Sequence, residues 1–374
     1  MLFDIDMLKS RSFSVPIISV GNITVGGTGK TPHVEYLLNM LLGNSKVAVL
    51  SRGYKRKTKG FVLADKTATA QTIGDEPMQL KTKFPNAIIA VDSDRIRGIE
   101  KLLANAPDID VILLDDAFQH RYVKPGINIL LVDYHRLIIY DRLLPAGRLR
   151  EPLKGKNRAD VVIVTKCPTE LKPMDYRVIT KAMDLYPYQS LFFTTFNYSP
   201  LKPVFGKEAQ APCPTFSTLS SYHVLLLSGI ASPRQLKEDL ERLFASSTSN
   251  SPAASNLSVL SFPDHHRFRK KDVRRINSVF ESLPQPRCII TTEKDSTRLT
   301  EVEGLSDDVR RNIYSLPVHV SFMLDQESTF NENIIGYVRK NSRNSILAKA
   351  KDENKPRDSH CSGNGPRTIS FRNN

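Results

Sequence analysis

Residues 16–32, PIISVGNITVGGTGKTP, say more about this protein than any other stretch of the chain. The apolar start, Pro16–Val20, predicts a short buried strand. A glycine-rich turn follows, and Gly29-Lys30-Thr31 stands where a helix should begin. Free backbone N–H groups in such a turn bind phosphate oxygens, and the partial positive charge of a helix start favours the same anions. The segment therefore predicts a phosphate-binding loop for a nucleoside triphosphate.

The residue types in this loop predict separate tasks. Lys30 is expected to reach the terminal phosphates, and the Thr31 hydroxyl to ligate Mg²⁺. The pattern G-x-x-x-x-G-K-[ST] has a glycine where this chain has Thr24, so a flexible turn with an incidental GKT is the alternative interpretation. The order strand, loop, helix favours the phosphate site. Its expected nucleotide-binding residues are Gly26, Gly27, Thr28, Gly29, Lys30 and Thr31.

Size and composition are those of a soluble globular protein. The 374 residues suggest two domains, and 40% of them are hydrophobic and 25% charged. The N-terminus lacks the pattern of a signal peptide, and no apolar run approaches the roughly 20 residues that span a bilayer. The cysteines are far apart, which argues against a zinc site and is typical of reduced thiols in the cytosol.

The formal net charge of +14 favours anionic partners such as nucleic acid, acidic lipid headgroups or phosphorylated substrates. Residues 340–374 contain eight Lys or Arg and three Asp or Glu, and they are poor in large apolar residues. This composition predicts a disordered basic tail, for which a solvated appendage is preferred over a binding arm. Most of the remaining charge belongs to the folded part of the chain.

Apolar runs alternate with helix-length amphipathic stretches along the first half of the chain. Near-continuous aliphatic strands are typical of a parallel sheet buried on both faces, which predicts a P-loop NTPase-like α/β fold in three layers, α/β/α. Ligands of such sheets bind at the carboxyl ends of the strands. The predicted strands are 16–20, 47–51, 87–91, 111–115, 127–132 and 161–165, and the predicted helices include 31–42 and 93–105.

A second, smaller α/β domain is expected after a linker rich in Pro, Ser and Thr. Its strands are predicted near 223–228, 257–262 and 288–292, with a loop at 245–256. The predicted division is a nucleotide-binding and catalytic domain at 1–195, the linker at 196–220, the smaller domain at 221–339 and the tail at 340–374.

Val111–Asp116, VILLDD, is an aliphatic strand that ends in two carboxylates. Downstream of a phosphate loop, such a strand is typical of the acidic group that holds Mg²⁺ or its waters. Acids after a strand are common in proteins without this function, so the phosphate loop is what gives the pattern its meaning. The sequence leaves open whether Asp115 or Asp116 faces the metal.

Two further motifs allow both a structural and a functional interpretation. Asp75, in GDEP before an amphipathic run, is typical of a helix N-cap. It could instead be the general base that accepts a hydroxyl proton in phosphoryl transfer. In Asp264-His265-His266, adjacent side chains of a strand would point to opposite faces, so the two histidines are not expected to ligate one metal. A histidine that met Asp75 across a cleft would form with it a base of tuned pKa.

Charged residues also cluster in LPAGRLREP, residues 144–152, and in the TEKD segment, residues 292–295. Arg148, Arg150 and Glu151 lie among Pro and Gly with no helical or strand period. Such a loop is either solvated or supplies arginines that neutralise phosphates. The TEKD segment stays open between a structural and a functional role.

Eight motifs occur in order from about Pro16 to Asp295: VGNITVGGTGKTP, SRGY, GDEP, SDR, LLDDAFQH, LPAGRLREP, FPDHH and TTEKD. Together they resemble the tetraacyldisaccharide 4'-kinase family of bacterial lipid A biosynthesis. The resemblance implies that the γ-phosphate of ATP moves, with Mg²⁺, to the 4'-hydroxyl of a tetraacylated disaccharide 1-phosphate on the way to lipopolysaccharide. It also implies peripheral attachment at the cytoplasmic face of the inner membrane.

The resemblance implies a role for each matching position. Asp75 would be the catalytic base, paired with His265, and the pair would form only when a cleft between two domains closes. Lys30 would keep its catalytic role on the phosphates, and the basic run Lys55–Lys59 would lead into a lid-like hairpin. The implied metal shell is Thr31, Asp115, Asp116 and Glu151, and the implied contacts to phosphates or the sugar headgroup are Arg95, Gln119, His120 and Arg150.

One departure from the family concerns the N-terminus. Family members usually begin with a longer apolar helix that seats them on the bilayer, whereas about fifteen residues precede the first strand here. Met1–Phe3 and Ile5 are expected to be a remnant of that helix, unless the start has been truncated. The tail after about Lys340 has no counterpart in the family.

Two other functions compete with the kinase. A switch NTPase or metallochaperone would hydrolyse nucleotide to drive a partner, but the scattered cysteines count against metal delivery. A basic nucleic-acid-binding protein would suit the charge, but no aromatic-interleaved basic stripe or recognition motif supports it. The expected partners are therefore a lipid A disaccharide precursor and the inner-membrane surface, with no nucleic acid and no obligate protein partner.

Overall fold

Two sheets organise the protein. The computed structural model describes Phe3 and residues 7–206, 213–231, 233–246 and 256–353. The strands of the larger sheet are, in chain order, β1 (Ile17–Gly21), β2 (Val47–Ser51), β3 (Val62–Leu63), β4 (Ile88–Val91), β5 (Val111–Asp115), β6 (Ile127–Asp133), β7 (Val161–Thr165), β8 (Ser190–Tyr198) and β14 (Val318–Phe322). Their order across the sheet is β14-β8-β7-β6-β1-β5-β2-β4-β3.

The smaller sheet has the order β11-β10-β12-β13-β9. Its strands are β9 (Lys202–Pro203), β10 (His223–Ser228), β11 (Leu257–Ser261), β12 (Arg287–Thr292) and β13 (Ile313–Leu316). The four longer strands pair in parallel, and only the short β9 runs antiparallel, at the edge beside β13.

Helices lie on both faces of the larger sheet. Val34 and Leu38 of α1 pack on one face together with Phe330 of α10, whereas Leu102 of α4 packs on the opposite face. The helices are α1 (Lys30–Leu41), α2 (Ala70–Ile73), α3 (Asp75–Lys83), α4 (Arg95–Asn105), α5 (Pro173–Met183), α6 (Pro233–Ser246), α7 (Lys270–Glu281), α8 (Glu293–Leu299), α9 (Asp307–Arg311) and α10 (Glu327–Glu353). Short 3₁₀ turns occur at Tyr134–Arg136, Ile138–Tyr140, Leu153–Arg158 and Leu219–Ser221.

This architecture confirms the predicted fold class, a three-layer α/β/α parallel sheet with a second, smaller α/β unit. The aliphatic runs become central strands because both faces of the sheet are covered by helices. β1 lies between β5 and β6 and pairs in parallel with each. The segments that follow β1, β5 and β7 therefore meet at one rim of the sheet, where ligands of such folds bind.

The chain returns to the larger sheet after it has built the smaller one. Val318 pairs antiparallel with Tyr198, so β14, which falls within the predicted smaller domain 221–339, extends the larger sheet instead. Conversely β9, within the predicted linker 196–220, joins the smaller sheet. A long-range antiparallel pairing of this kind leaves no local pattern in the sequence, and the division at 1–195, 196–220 and 221–339 stays a prediction.

Two predicted irregular segments fall partly outside the described residues. α10 extends to Glu353, so the first part of the predicted disordered tail is helical, while 354–374 lie outside the described residues. The predicted loop 245–256 begins within α6, and its residues 247–255 are also outside. Of the N-terminal remnant, only Phe3 is described, and its ring contacts that of Tyr122. No helix in the described ranges is long and apolar enough to cross a membrane.

Candidate active site

The glycine-rich turn connects β1 to α1 at the centre of the rim. Gly29 has a φ of 83°, a left-handed conformation that glycine adopts without steric cost, and α1 begins at the next residue, Lys30. A Cβ at Gly29 would lie 2.6 Å from Cζ of Phe196. Both the backbone conformation and the close approach of Phe196 therefore require glycine here.

Side chains from two strand ends hold the turn in place. Asn22, just after β1, donates from Nδ2 to Oγ1 of Thr28 at 2.9 Å. Thr165, at the end of β7, donates from Oγ1 to the carbonyl of Thr28 at 3.0 Å. Both strand-end residues are buried, so the turn is fixed before any ligand binds.

Thr24, which replaces the glycine of the phosphate-loop pattern, takes part in a backbone bridge. It pairs antiparallel with Leu149 of the 144–152 loop. The backbone N–H of Val25 donates to the carbonyl of Arg148 at 2.8 Å, and that of Arg150 to the carbonyl of Ile23 at 2.8 Å. The bridge thereby brings the arginine-containing loop against the phosphate loop. The sequence allowed this position for the loop, but equally a solvated loop with no such contact.

The two carboxylates after β5 have different environments. Asp115 is 2% exposed, and its Oδ2 accepts a hydrogen bond from the Ser51 hydroxyl at 3.1 Å. Burial, reinforced by the neighbouring charges of Glu76 and Asp116, raises the pKa of Asp115 to about 7. Asp116 lines the cleft instead, with Oδ1 at 3.5 Å from Nζ of Lys30.

Asp75 of the larger unit contacts His265 of the smaller unit, and His265 lines the cleft between the units. The imidazole Nδ1 is 3.2 Å from Oδ2 of Asp75, although the two residues are 190 positions apart. Lys294 Nζ lies 3.0 Å from the other ring nitrogen, Nε2. Because an ammonium can only donate, Nε2 accepts and Nδ1–H donates to Asp75. The structure therefore brings together the pair that the family resemblance implies.

Arg298 also contacts Asp75, and no motif in the sequence pointed to it. Its Nε donates to Oδ2 of Asp75 at 2.8 Å, and its NH1 donates to Oδ1 of Asp295 at 2.9 Å. Asp295 is fully buried and also accepts from the backbone N–H of Gly229 at 2.8 Å. The i,i+3 spacing of Asp295 and Arg298 on α8 is a sequence signal that could have indicated the pair.

These contacts set the protonation of Asp75. Burial by itself would raise the pKa of Asp75, but the hydrogen bond from His265 and the charge and hydrogen bond of Arg298 together hold it below its ordinary value. The carboxylate is thus kept ionised at neutral pH.

The positions of the two motifs bear on their alternative roles. The N-cap of α3 is Gly74, and Asp75 is the first residue inside the helix, so Asp75 is not the capping residue. His266 points away from Asp75, with Nε2 at 2.9 Å from Oδ2 of Asp272 and its ring stacked on Phe262. The motif lies in a turn after β11, not in a strand, but the two histidines still separate as expected.

The residues implied to contact substrate do not all reach the cleft. Arg95 is 2% exposed. It donates to the backbone carbonyl of Asp115 at 3.0 Å, so it stabilises the end of β5 and does not reach the cleft. Burial, followed by the charge of Arg95, lowers the pKa of the half-buried His120. Gln119 is exposed, and its amide donates to Glu151 at 3.0 Å. Arg150 lines the cleft, 3.8 Å from Asp116.

Glu151 is engaged elsewhere. Its Oε2 lies 2.8 Å from NH2 of Arg158, in addition to the contact with Gln119. Within the described part of the chain, no three Asp, Glu, His or Cys side chains are grouped as they would be around a metal ion. The implied metal shell consists of Thr31 and three carboxylates, Asp115, Asp116 and Glu151. These three carboxylates are therefore not grouped around one metal position.

A cleft of about 1070 Å³ joins these groups. It is lined by the phosphate loop, by Asp116 and Arg150, and by His265 and Lys294 from the smaller unit. This volume is at the upper end of small-ligand sites and can hold a nucleotide together with part of an acceptor.

Comparison with known proteins agrees with this geometry. A family model described as tetraacyldisaccharide-1-P 4'-kinase matches residues 1–339. The chain belongs to this family. The chain is 55% identical over 347 residues to a tetraacyldisaccharide 4'-kinase of Phocaeicola vulgatus, with 92% of each chain covered. It is 50% identical over 358 residues to the protein of that name from Bacteroides thetaiotaomicron, covering 94% of this chain and 92% of the relative.

A solved structure of the same family shares the fold. It is LpxK from Aquifex aeolicus in complex with ATP, with a TM-score of 0.66, 28% identity, and coverage of 90% of this chain and 93% of that one. Membership in the tetraacyldisaccharide-1-P 4'-kinase family confirms the resemblance inferred from the motifs and the expectation of an ATP-dependent kinase of lipid A biosynthesis.

Proposed function

We propose that the protein transfers the γ-phosphate of ATP to the 4'-hydroxyl of a tetraacyldisaccharide 1-phosphate, with Asp75 as the general base. The observation that carries the proposal is the 3.2 Å contact between Asp75 and His265, which unites the two units at a cleft that the phosphate loop also lines. Membership in the kinase family supplies the identity of the two substrates.

The reaction exchanges one O–P bond for another. The 4'-oxygen attacks the γ-phosphorus, the bond from that phosphorus to the bridging oxygen of ADP breaks, and the hydroxyl proton passes to Asp75. Among the described contacts of Asp75, the ring of His265 and the guanidinium of Arg298 both act on Oδ2. We infer that Oδ1 is the oxygen that accepts the proton.

The phosphate loop and two cations hold the nucleotide. Backbone N–H groups of residues 26–31 and the start of α1 favour the phosphate oxygens. Lys30 and Arg150 line the cleft beside the phosphate loop and both contact Asp116, at 3.5 and 3.8 Å. Both are therefore placed to turn to the transferring phosphoryl group and to neutralise its charge.

The residues after β5 fit Mg²⁺. Oδ1 of Asp115 and Oδ1 of Asp116 are buried and receive no hydrogen bond from the described residues, although Nζ of Lys30 lies 3.5 Å from Oδ1 of Asp116. Mg²⁺ prefers oxygen ligands and binds through one or two carboxylates plus substrate phosphates and waters, so a third carboxylate such as Glu151 is not required. Thr31, Asp115 and Asp116 would hold the ion, which neutralises phosphate charge when bound.

Four further side chains have roles implied by the resemblance, and in this proposal they would bind the acceptor or position other residues. Gln119 and His120 remain candidates for the acceptor headgroup, because they lie on the rim after β5. Arg95 would position the rim through the carbonyl of Asp115, and Glu151 would orient Gln119.

We also propose that the enzyme works as a peripheral protein at the cytoplasmic face of the inner membrane. The acceptor of this family carries four acyl chains, so it resides in a bilayer. No helix among the described residues is long and apolar enough to cross that bilayer.

The decisive test is to incubate the full chain with γ-labelled ATP, Mg²⁺ and a tetraacyldisaccharide 1-phosphate in detergent. Label at the 4' position is the expected result. Label in inorganic phosphate alone, with a control kinase active on the same lipid, would reject the proposal in favour of a nucleotide switch. His265→Ala should lose most of the activity, whereas His266→Ala serves as the matched control because that histidine faces Asp272.

A further inference from the structure

Six cations occupy the outer surface of α7 and the turn before it. α7 buries Val273, Ile276 and Phe280 against the core of the smaller unit, which leaves its other face to solvent. All of the following are exposed: Arg267, Arg269, Lys270, Lys271, Arg274 and Arg275. This density of charge belongs to the folded part of the chain and has no part in the chemistry proposed above.

The acids near these cations have other ion-pair partners, although the charge of Lys271 also acts on Asp272. Asp272, on the same helix, is paired with His266 at 2.9 Å. Asp264, in the preceding turn, lies 3.3 Å from Lys294. None of the six cations takes part in an ion pair with another described residue at 4.0 Å or less.

A second basic segment contacts the turn that precedes these cations. Lys55, Lys57 and Lys59 are exposed, and Nζ of Lys55 lies 3.5 Å from the carbonyl of His265. Lys57 contacts only the neutral amide of Gln71, at 2.7 Å, among its described partners. The two segments, Lys55–Lys59 and Arg267–Arg275, together form what we call the basic rim.

We propose that the basic rim docks the protein on a bilayer surface rich in anionic lipids. Clustered Lys and Arg side chains are attracted to such a surface, and each one near it strengthens partitioning by about fivefold. Lys55 of the rim contacts the carbonyl of His265, whose side chain lines the cleft, so docking would bring the cleft close to the headgroup of a membrane-borne acceptor. The inference rests on the proposed function for the nature of that acceptor, but not for the binding itself.

Vesicle flotation with the full chain tests the docking surface. Wild-type protein should float with phosphatidylcholine vesicles that contain about one-third phosphatidylglycerol, should not float with pure phosphatidylcholine, and should be released by salt. The variant Lys271→Gln/Arg274→Gln should partition about 25-fold more weakly. The matched control is Arg177→Gln/Lys181→Gln, which removes the same charge from exposed positions on α5 of the larger unit and should bind like wild type.

Several outcomes would overturn the docking surface. One is wild-type protein that floats equally with both kinds of vesicle. Another is an equal loss of vesicle binding in the two double variants. The third is a rim variant that binds a nucleic-acid duplex more weakly than wild type while its vesicle binding is unchanged. Kinase activity in neutral detergent should be the same in both double variants, since neither touches the cleft. Failure of that activity in wild type, with vesicle binding intact, would reject the proposed function and leave the docking surface standing.

Discussion

Asp75 combines an ionised carboxylate with one oxygen, Oδ1, to which no described residue donates a hydrogen bond, and this combination makes its replacement informative. Asp75→Asn keeps the volume but removes the charge and the basic oxygen. We expect the turnover number to fall by about 10²–10⁴-fold, the contribution typical of a general base. ATP affinity should change little, because no residue of the phosphate loop contacts Asp75 among the described hydrogen bonds. Single-turnover kinetics and calorimetric ATP titration check the two parts separately.

Loss of ATP affinity together with turnover in Asp75→Asn would contradict the role of base. A lowered melting temperature with normal turnover would do the same, because it would show that the carboxylate serves the start of α3 alone.

Arg298 is expected to act through Asp75, as a positioning residue. Its charge and hydrogen bond help to hold the pKa of Asp75 below the ordinary value. The ionised base is the active form, so activity is lost as pH falls through that pKa. Arg298→Met should raise the pKa and move the acid limb of the kcat profile to higher pH, whereas Arg298→Lys should restore part of the shift. An acid limb that stays in place in Arg298→Met would show that the arginine only connects α8 to Gly229 and stabilises Asp295 within the same helix.

At the scale of elements, the junction of β1 and α1 depends on Gly29. Its φ of 83° costs a residue with a Cβ about 1–2 kcal/mol, and the new atom would also press on Phe196 at 2.6 Å. Gly29→Ala should therefore lower the melting temperature and weaken ATP binding. Gly27→Ala is the comparison within the same loop, because its Cβ would make only an ordinary contact of 3.6 Å with Ala231.

Thermal unfolding with and without ATP checks this prediction. Equal melting temperatures for the two alanine variants would mean that the turn relaxes around Gly29, and that its left-handed conformation is not required.

Much of this element structure was predictable because its signals are local. Continuous aliphatic runs gave β1, β2, β5, β6 and β7 within one or two residues, and the motif after β1 located the phosphate loop. What was not predictable depends on distant partners. Asp116 has a positive φ of 48°, and its side chain faces the cleft whereas that of Asp115 is buried. The pairing of β14 with β8 follows only from the completed smaller sheet.

At the scale of the whole molecule, a small ionic cluster ties the two units together. Lys83, on α3, lies 2.6 Å from Glu35 of α1 and 3.0 Å from Glu293, the first residue of α8. Glu35 is buried, and burial, only partly offset by Lys83, raises the pKa of its carboxyl. The cluster thus connects the helix of the phosphate loop and the helix of Asp75 to the unit that supplies His265. Sequence could not reveal it, because each residue taken alone looks like an ordinary surface charge.

Removal of the central cation should loosen this connection. Lys83→Met leaves two carboxylates without their shared cation, and only the amide of Gln79 still donates to Glu35. Breaking a buried ion pair costs about 3–5 kcal/mol and an exposed one less than about 1 kcal/mol, so this half-buried pair should cost about 2 kcal/mol. We expect a lower melting temperature, a larger radius of gyration by small-angle scattering, and a fall in kcat that exceeds any change in ATP affinity, since α8 would no longer hold His265 near Asp75. Lys81→Met, two residues earlier on α3, is the matched control because Lys81 forms no ion pair with the described residues. If both variants lost stability equally while kcat stayed normal, the cluster would be a local contact of α3, and the alignment of the two units would have to come from the remaining contacts of α8.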